Sequence, residues 1–309
     1  MIVLWLLLVI VFIVLATARL KWHPFLVLIL ACFLTAFCYG LPAAGIAKTI
    51  GTGFGGILGS IGLVIVLGTI IGLVLEKTGA ALVMAETVVR FIGPRFPTLA
   101  MSIVGAMVSI PVFCDSGFVI LHSLKESLAA RMKVSSVAMS VALATGLYAT
   151  HTFVPPTPGP ISAAGNLDLS DQLGLVIGVG LLVAVVPIVA GWLWANRFLH
   201  EQPDGLVSNP ADDARAQAIR DSYGEPLPPA LAFMPIVVPI VLICLGSVAA
   251  FPTHPFGDGA VAQVFNFFGT PLNALLIGTF LSFTLIRGED KTARISAIIG
   301  NGLTVSAPI

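Results

Sequence analysis

The sequence predicts an all-α, polytopic integral membrane protein, and three observations carry that prediction. Hydrophobic residues make up 57% of the 309-residue chain and charged residues 10%, with a mean hydropathy of +1.04, whereas a soluble domain carries about 25% charged residues. Apolar runs recur near the roughly 20 residues that an α-helix needs to cross ~30 Å of hydrocarbon. Finally, polar and helix-breaking residues interrupt this apolar background at IPVFCDSG (110–117) and ATHTFVPPTPGP (149–160). Backbone freed by proline or glycine has no partner in hydrocarbon. Such breaks belong inside protein or beside a water-filled cavity.

In chain order, the apolar runs place spans at 2–18, 24–43, 60–75, 98–110, 134–151, 173–195, 229–251 and 270–286. A shorter helix between 114 and 130 is too polar for a simple span, and a further segment begins after Ser296. Residues 63–75 lack the alternation of a membrane β-strand. The first run has no basic n-region and is followed by Arg19 and Lys21, so it reads as a retained span rather than a signal peptide.

Charge sets the orientation. Arg19, Lys21, Lys77, Arg90, Arg95, Arg131, Lys133, Arg197, Arg215, Arg220, Arg287, Lys291 and Arg294 are thirteen of the fifteen basic residues. All fall on one face if 98–130 enters and leaves on the same side as a re-entrant hairpin. The positive-inside rule makes that face cytoplasmic and puts the N-terminus outside a multi-pass cell (inner) membrane protein. The organisation expected is a first membrane half (1–196) with the hairpin (98–130) and a broken-helix motif (149–160). A cytoplasmic connector (197–228) follows, and then the start of a second membrane half (229–309). IAKTIGTG (46–53) echoes ISAIIGNG (295–302), and inverted repeats are common in secondary transporters. On this reading the second repeat is incomplete.

Composition also excludes functions. Net charge is zero and no basic–aromatic pattern suggests nucleic acid. Cys32, Cys38, Cys114 and Cys244 show no metal or redox spacing, and no cofactor is implied. The five histidines never form HExxH, and Asp115 has no second intramembrane aspartate beside it, which weighs against an intramembrane protease. The remaining partners are the lipid bilayer and a small solute; a homo-oligomer stays open.

Asp115 is the carboxylate in the middle of a strongly apolar run, between Pro111 and Gly117. Its burial would disfavour the charged form and suit reversible proton uptake; an interfacial N-cap is the alternative. Ser116 and Gly117 would open a following helix whose free N–H groups and dipole attract anions. In the second break, Thr150, His151 and Thr152 offer two hydroxyls and an imidazole. Pro155, Pro156, Pro158 and Pro160 then forbid helix around Thr157 and Gly159, leaving a rigid extended wall or an external turn. The stretch Gly51, Thr52, Gly53 to Gly59 is neither a phosphate-binding loop nor a dinucleotide fingerprint. It reads as close helix packing or as a second hairpin with backbone donors at a cavity.

PVFCDSGFVIL (111–121) and ATHTFVPPTPGP (149–160) closely resemble signatures of the gluconate permease family of proton-coupled symporters, within a larger group of ion-coupled transporters. The glycine-rich stretch from Gly51 and LEKTGA (75–80) are similar too. The resemblance implies proton-coupled uptake of gluconate or a related sugar acid, with a D-serine permease as the alternative. It implies Asp115, Ser116, Thr150, His151 and Thr157 as site residues, with Asp115 loading the proton. Family members continue through further segments and a second glycine-rich hairpin, so this chain reads as C-terminally truncated, with half of the inverted-repeat site absent, and is not expected to transport alone. A passive channel is the remaining rival; accumulation abolished by an uncoupler separates it from a symporter.

Overall fold

The computed structural model describes residues 2–93, 95–110, 112–200, 227–250, 255–257, 259–288 and 290–307. The regular secondary structure of the described residues is all helical, with no strand among them. They form two compact units, within Met1–Ser60 and Ile61–Ala307.

The first unit holds α1 (Ile2–Ala18), α2 (Pro24–Cys38) and the opening part of α3 (Ala43–Lys77). Helix α2 starts where proline is well tolerated, at its first position, and His23 Nδ1 accepts the Phe25 N–H at 3.3 Å. Small and branched residues (Ala16, Val27, Ala31, Ile46) are buried, while Leu4, Leu7, Val11 and Val14 remain exposed, as suits a lipid-facing surface. The stretch Gly51–Thr52–Gly53 is helical and exposed, not a hairpin loop.

The second unit begins with the rest of α3. Gly79 at φ 72° turns the chain into α4 (Ala80–Ile92), which buries Ala81, Met84, Ala85 and Val88 on one side. This helix is absent from the sequence expectation, because Glu86 and Arg90 break the apolar run that marks a span. Helices α5 (Pro97–Val108) and α8 (Ser136–Phe153) pack closely. A Cβ on Gly105 would lie 2.6 Å from the Leu143 carbonyl oxygen, and one on Gly146 would overlap the backbone of Ser102. Glycine at both positions permits this approach, as in other membrane helix pairs.

Helix α10 (Leu173–Ala195) packs on α8, and α11 (Pro229–Ala249) packs on α10, α12 (Ala260–Gly269) and α13 (Pro271–Phe283). Helices α12 and α13 meet at a 67° bend where Thr270–Pro271 interrupts the run. The last helix, α14 (Lys291–Ser306), lays Gly302 against Ile70 of α3. Met101, Leu121, Met139, Leu143, Leu147 and Ile161 are among the largest fully buried side chains.

Among the described residues three helical segments are long and apolar enough to span a membrane, and up to five if each bent pair is one span. The eight runs read from hydropathy therefore include shorter helices: α2 ends at Cys38, and α5 has 12 residues. At 1.5 Å per residue, a helix of about 12 residues covers only ~18 Å. The connector expected at 197–228 falls largely on residues 201–226, outside those described.

Candidate functional site

The first break separates α5 from α6 (Cys114–Ile120) and α7 (His122–Met132). Ser109 closes α5 and donates its hydroxyl to the Val112 carbonyl at 3.3 Å, while Gly117 N–H returns to the Phe113 carbonyl at 2.8 Å. Pro111 lies outside the described residues.

Asp115 is exposed, correcting the expectation that it is buried. The cause is helical register: Cys114, Gly117 and Leu121 turn inward, leaving Asp115 and Val119, one turn apart, on the outer face. The Tyr148 hydroxyl donates to Asp115 Oδ1 at 3.0 Å. Ser116 sits in the first turn of α6, a seven-residue helix. Its macrodipole is correspondingly short, which weakens the anion-binding argument made for a longer helix. Gly117 lets α6 approach α8, since a Cβ there would lie 2.8 Å from a Leu147 methyl.

The second break is shorter than the prolines suggested. Helix α8 continues through Thr150, His151 and Thr152 to Phe153, and α9 (Pro158–Asn166) starts directly after Thr157. Pro158 and Pro160 do not forbid this helix; they occupy its first turn, where no intrahelical N–H bond is lost. Only 154–157 is non-helical, and the Pro155–Pro156 peptide is cis.

Most threonine hydroxyls here are already engaged. Buried Thr150 donates to the Ala106 carbonyl at 2.7 Å, tying α8 to α5. Thr152 donates to the Tyr148 carbonyl and Thr157 to the Val154 carbonyl, each at 2.7 Å. Gly159 is exposed, with open space where a Cβ would stand. His151 differs: its Nδ1 is buried and has no hydrogen-bond partner. Its ring lies 5.6 Å from that of Phe113, centroid to centroid.

The two breaks therefore meet. Phe113 from the first and His151, Pro156 and Thr157 from the second line a small chamber, closed on α3 by Gly68 and Thr69. Its volume, about 10 Å³, is near that of one water probe. Gly68, Thr69, Phe113 and Tyr148 were not singled out from sequence. Phe113 and Tyr148 lie within or beside quoted motifs, but their roles depend on contacts across the fold. Gly51, Thr52 and Gly53 belong to the first unit and are not among the residues this chamber assembles. Among the described residues no cluster of His, Cys, Asp and Glu is able to hold a metal.

Comparison with known proteins adds a family to this geometry. A family profile described as GntP family permease matches residues 1–309. An uncharacterized permease of Haemophilus influenzae is 36% identical over 293 residues, covering 92% of this chain and 59% of its own length. A gluconate permease of Pseudomonas aeruginosa is 31% identical, with 94% of this chain and 64% of that protein covered. A D-serine transporter of Escherichia coli is also 31% identical, with 91% and 61% covered. The chain thus spans about three fifths of the length of these curated relatives. No solved structure matches it.

Proposed function

We propose, because this chain belongs to the GntP permease family, that the permease it forms takes up gluconate or a related small hydroxy-carboxylate with protons across the cytoplasmic membrane. The family match along residues 1–309 carries this reading. It makes the protein a membrane permease rather than an enzyme, which accords with its long apolar helices.

The site supports the finer reading in two ways. His151 offers an unpaired nitrogen at the chamber joining the two breaks, where a substrate hydroxyl or carboxylate would complete its bonding. Asp115, held by Tyr148, is an ionisable group beside an intramembrane break and is our candidate for the coupling carboxylate. Coupling then requires that proton and substrate favour each other's binding. If 98–130 is a re-entrant hairpin, thirteen of the fifteen basic residues fall on one face, which the positive-inside rule makes cytoplasmic, with the N-terminus outside.

D-serine is the second reading, favoured by a D-serine transporter as similar to this chain as the gluconate permease is. Uptake of labelled gluconate and labelled D-serine into vesicles bearing the complete permease tests both. Saturable gluconate uptake resisted by excess D-serine supports the first reading. The reverse preference supports the second, and movement of neither solute overturns both.

A further inference from the structure

A second, larger cavity adjoins the histidine chamber. It holds about 130 Å³ and is lined by Gly72, Glu76 and Lys77 of α3, by Val112 and Phe113, and by Asn301 of α14. The two cavities follow one another along α3: Gly68 and Thr69 line the first, Gly72 and Glu76 the second, one helical turn apart at each step. Val112 and Phe113 are the residues that both cavities share. Phe113 also carries the ring that lies 5.6 Å from His151.

The chemistry of the larger cavity suits a hydroxylated anion. Lys77 supplies an ammonium whose nearest carboxylate, Glu76, is 3.9 Å away, too far for a tight pair. The Lys77 side chain is 58% exposed, so it remains available to a solute. Glu76 accepts hydrogen bonds, and Asn301 both donates and accepts them. The volume is more than ten times that of the histidine chamber, enough for a carboxylate and its neighbouring hydroxyls. Asn301 lies within GNG (300–302), the later of the two echoing glycine motifs. Gly302, resting on Ile70, brings α14 close enough to α3 for Asn301 to reach this cavity.

We propose that Glu76, Lys77 and Asn301 form an antechamber on the cytoplasmic side, where Lys77 holds the carboxylate of a small hydroxy acid and Glu76 and Asn301 meet its hydroxyls, and that Phe113 is the partition between it and the His151 chamber. The identity of the anion rests on the function proposed above; the partition does not.

Thiol labelling tests the partition in membranes bearing the complete permease, with Cys32, Cys38, Cys114 and Cys244 replaced and Thr69→Cys as the chamber reporter. A polar methanethiosulfonate reagent is expected to react slowly with Phe113 present and several-fold faster in Phe113→Ala. Equal rates overturn the partition. Met139→Cys, deep in the core, serves as the folding control; if it too becomes reactive, the same comparison is made with Phe113→Leu, where equal rates again overturn the proposal. For the antechamber, Lys77→Gln is expected to raise the internal gluconate concentration for half-maximal efflux from loaded vesicles about tenfold at unchanged maximal rate, with Lys77→Arg restoring it. An unchanged half-maximal concentration overturns the docking role. Faster labelling in a permease that moves no gluconate keeps the partition and removes the substrate reading.

Discussion

Tyr148 of α8 donates its hydroxyl to Asp115 of α6 across 3.0 Å, so the two broken segments are joined by a side chain that neither motif contains. The bond spans 33 positions in sequence. It links the candidate coupling carboxylate to the helix that carries His151 one turn further on.

If this bond orients Asp115, Tyr148→Phe should lower proton-driven uptake several-fold. Gluconate exchange, which Asp115→Asn is expected to retain, should be no lower in the Tyr148→Phe, Asp115→Asn double variant than in Asp115→Asn alone, as expected for residues acting through one interaction. Gradient-driven uptake of Tyr148→Phe and exchange rates of all four proteins decide the matter. A further loss of exchange in the double variant would show that Tyr148 acts elsewhere.

These relationships mark how far the sequence could be read. Long apolar runs sufficed for α1 and α10, whose ends coincide with the runs themselves. They failed for α4, whose burial depends on one narrow face, and for α9, where four prolines outweighed the fact that helices tolerate proline in their first turn. For the site, residue type exposed the two breaks. Which hydroxyls are free is a property of packing: Thr150 and Thr157 look like substrate ligands in sequence, yet both bond to backbone, while His151 Nδ1 stays unpaired. The exposure of Asp115 likewise follows from the register of a short helix.

Thr150 is accordingly expected to behave as a structural tie. Loss of its bond to Ala106 in Thr150→Val should cost about 1 kcal/mol of stability. Thr150→Ser should recover it, and the half-maximal gluconate concentration should not move. Thermal unfolding in detergent, read beside uptake kinetics, checks both parts. A several-fold rise in half-maximal concentration with stability intact would make Thr150 a ligand after all.

Lys125 is the most deeply buried charge described, with its ammonium 2.6 Å from Glu126 Oε1 and 2.8 Å from Ser140 Oγ. Ser136 in turn donates to Glu126 at 2.6 Å, so the cluster fastens α7 to α8. Lys125→Met should destabilise the protein by roughly 2–4 kcal/mol because Glu126 loses its cation in a partly buried setting. The Lys125→Met, Glu126→Gln pair should recover much of that loss. Denaturant unfolding of the three variants measures it; a double variant as unstable as the sum of the singles would refute the pairing.

Asp115 is the proposed link between hydroxy-carboxylate uptake and protons, and gradient-driven accumulation in its neutral variant decides the point. Vesicles bearing the complete permease or its Asp115→Asn variant are given labelled gluconate, with and without an inward proton gradient. Gluconate exchange at equal internal and external concentrations is followed in parallel. The permease should accumulate gluconate only with the gradient, and Asp115→Asn should abolish accumulation while retaining exchange. Undiminished gradient-driven accumulation in Asp115→Asn would contradict that link.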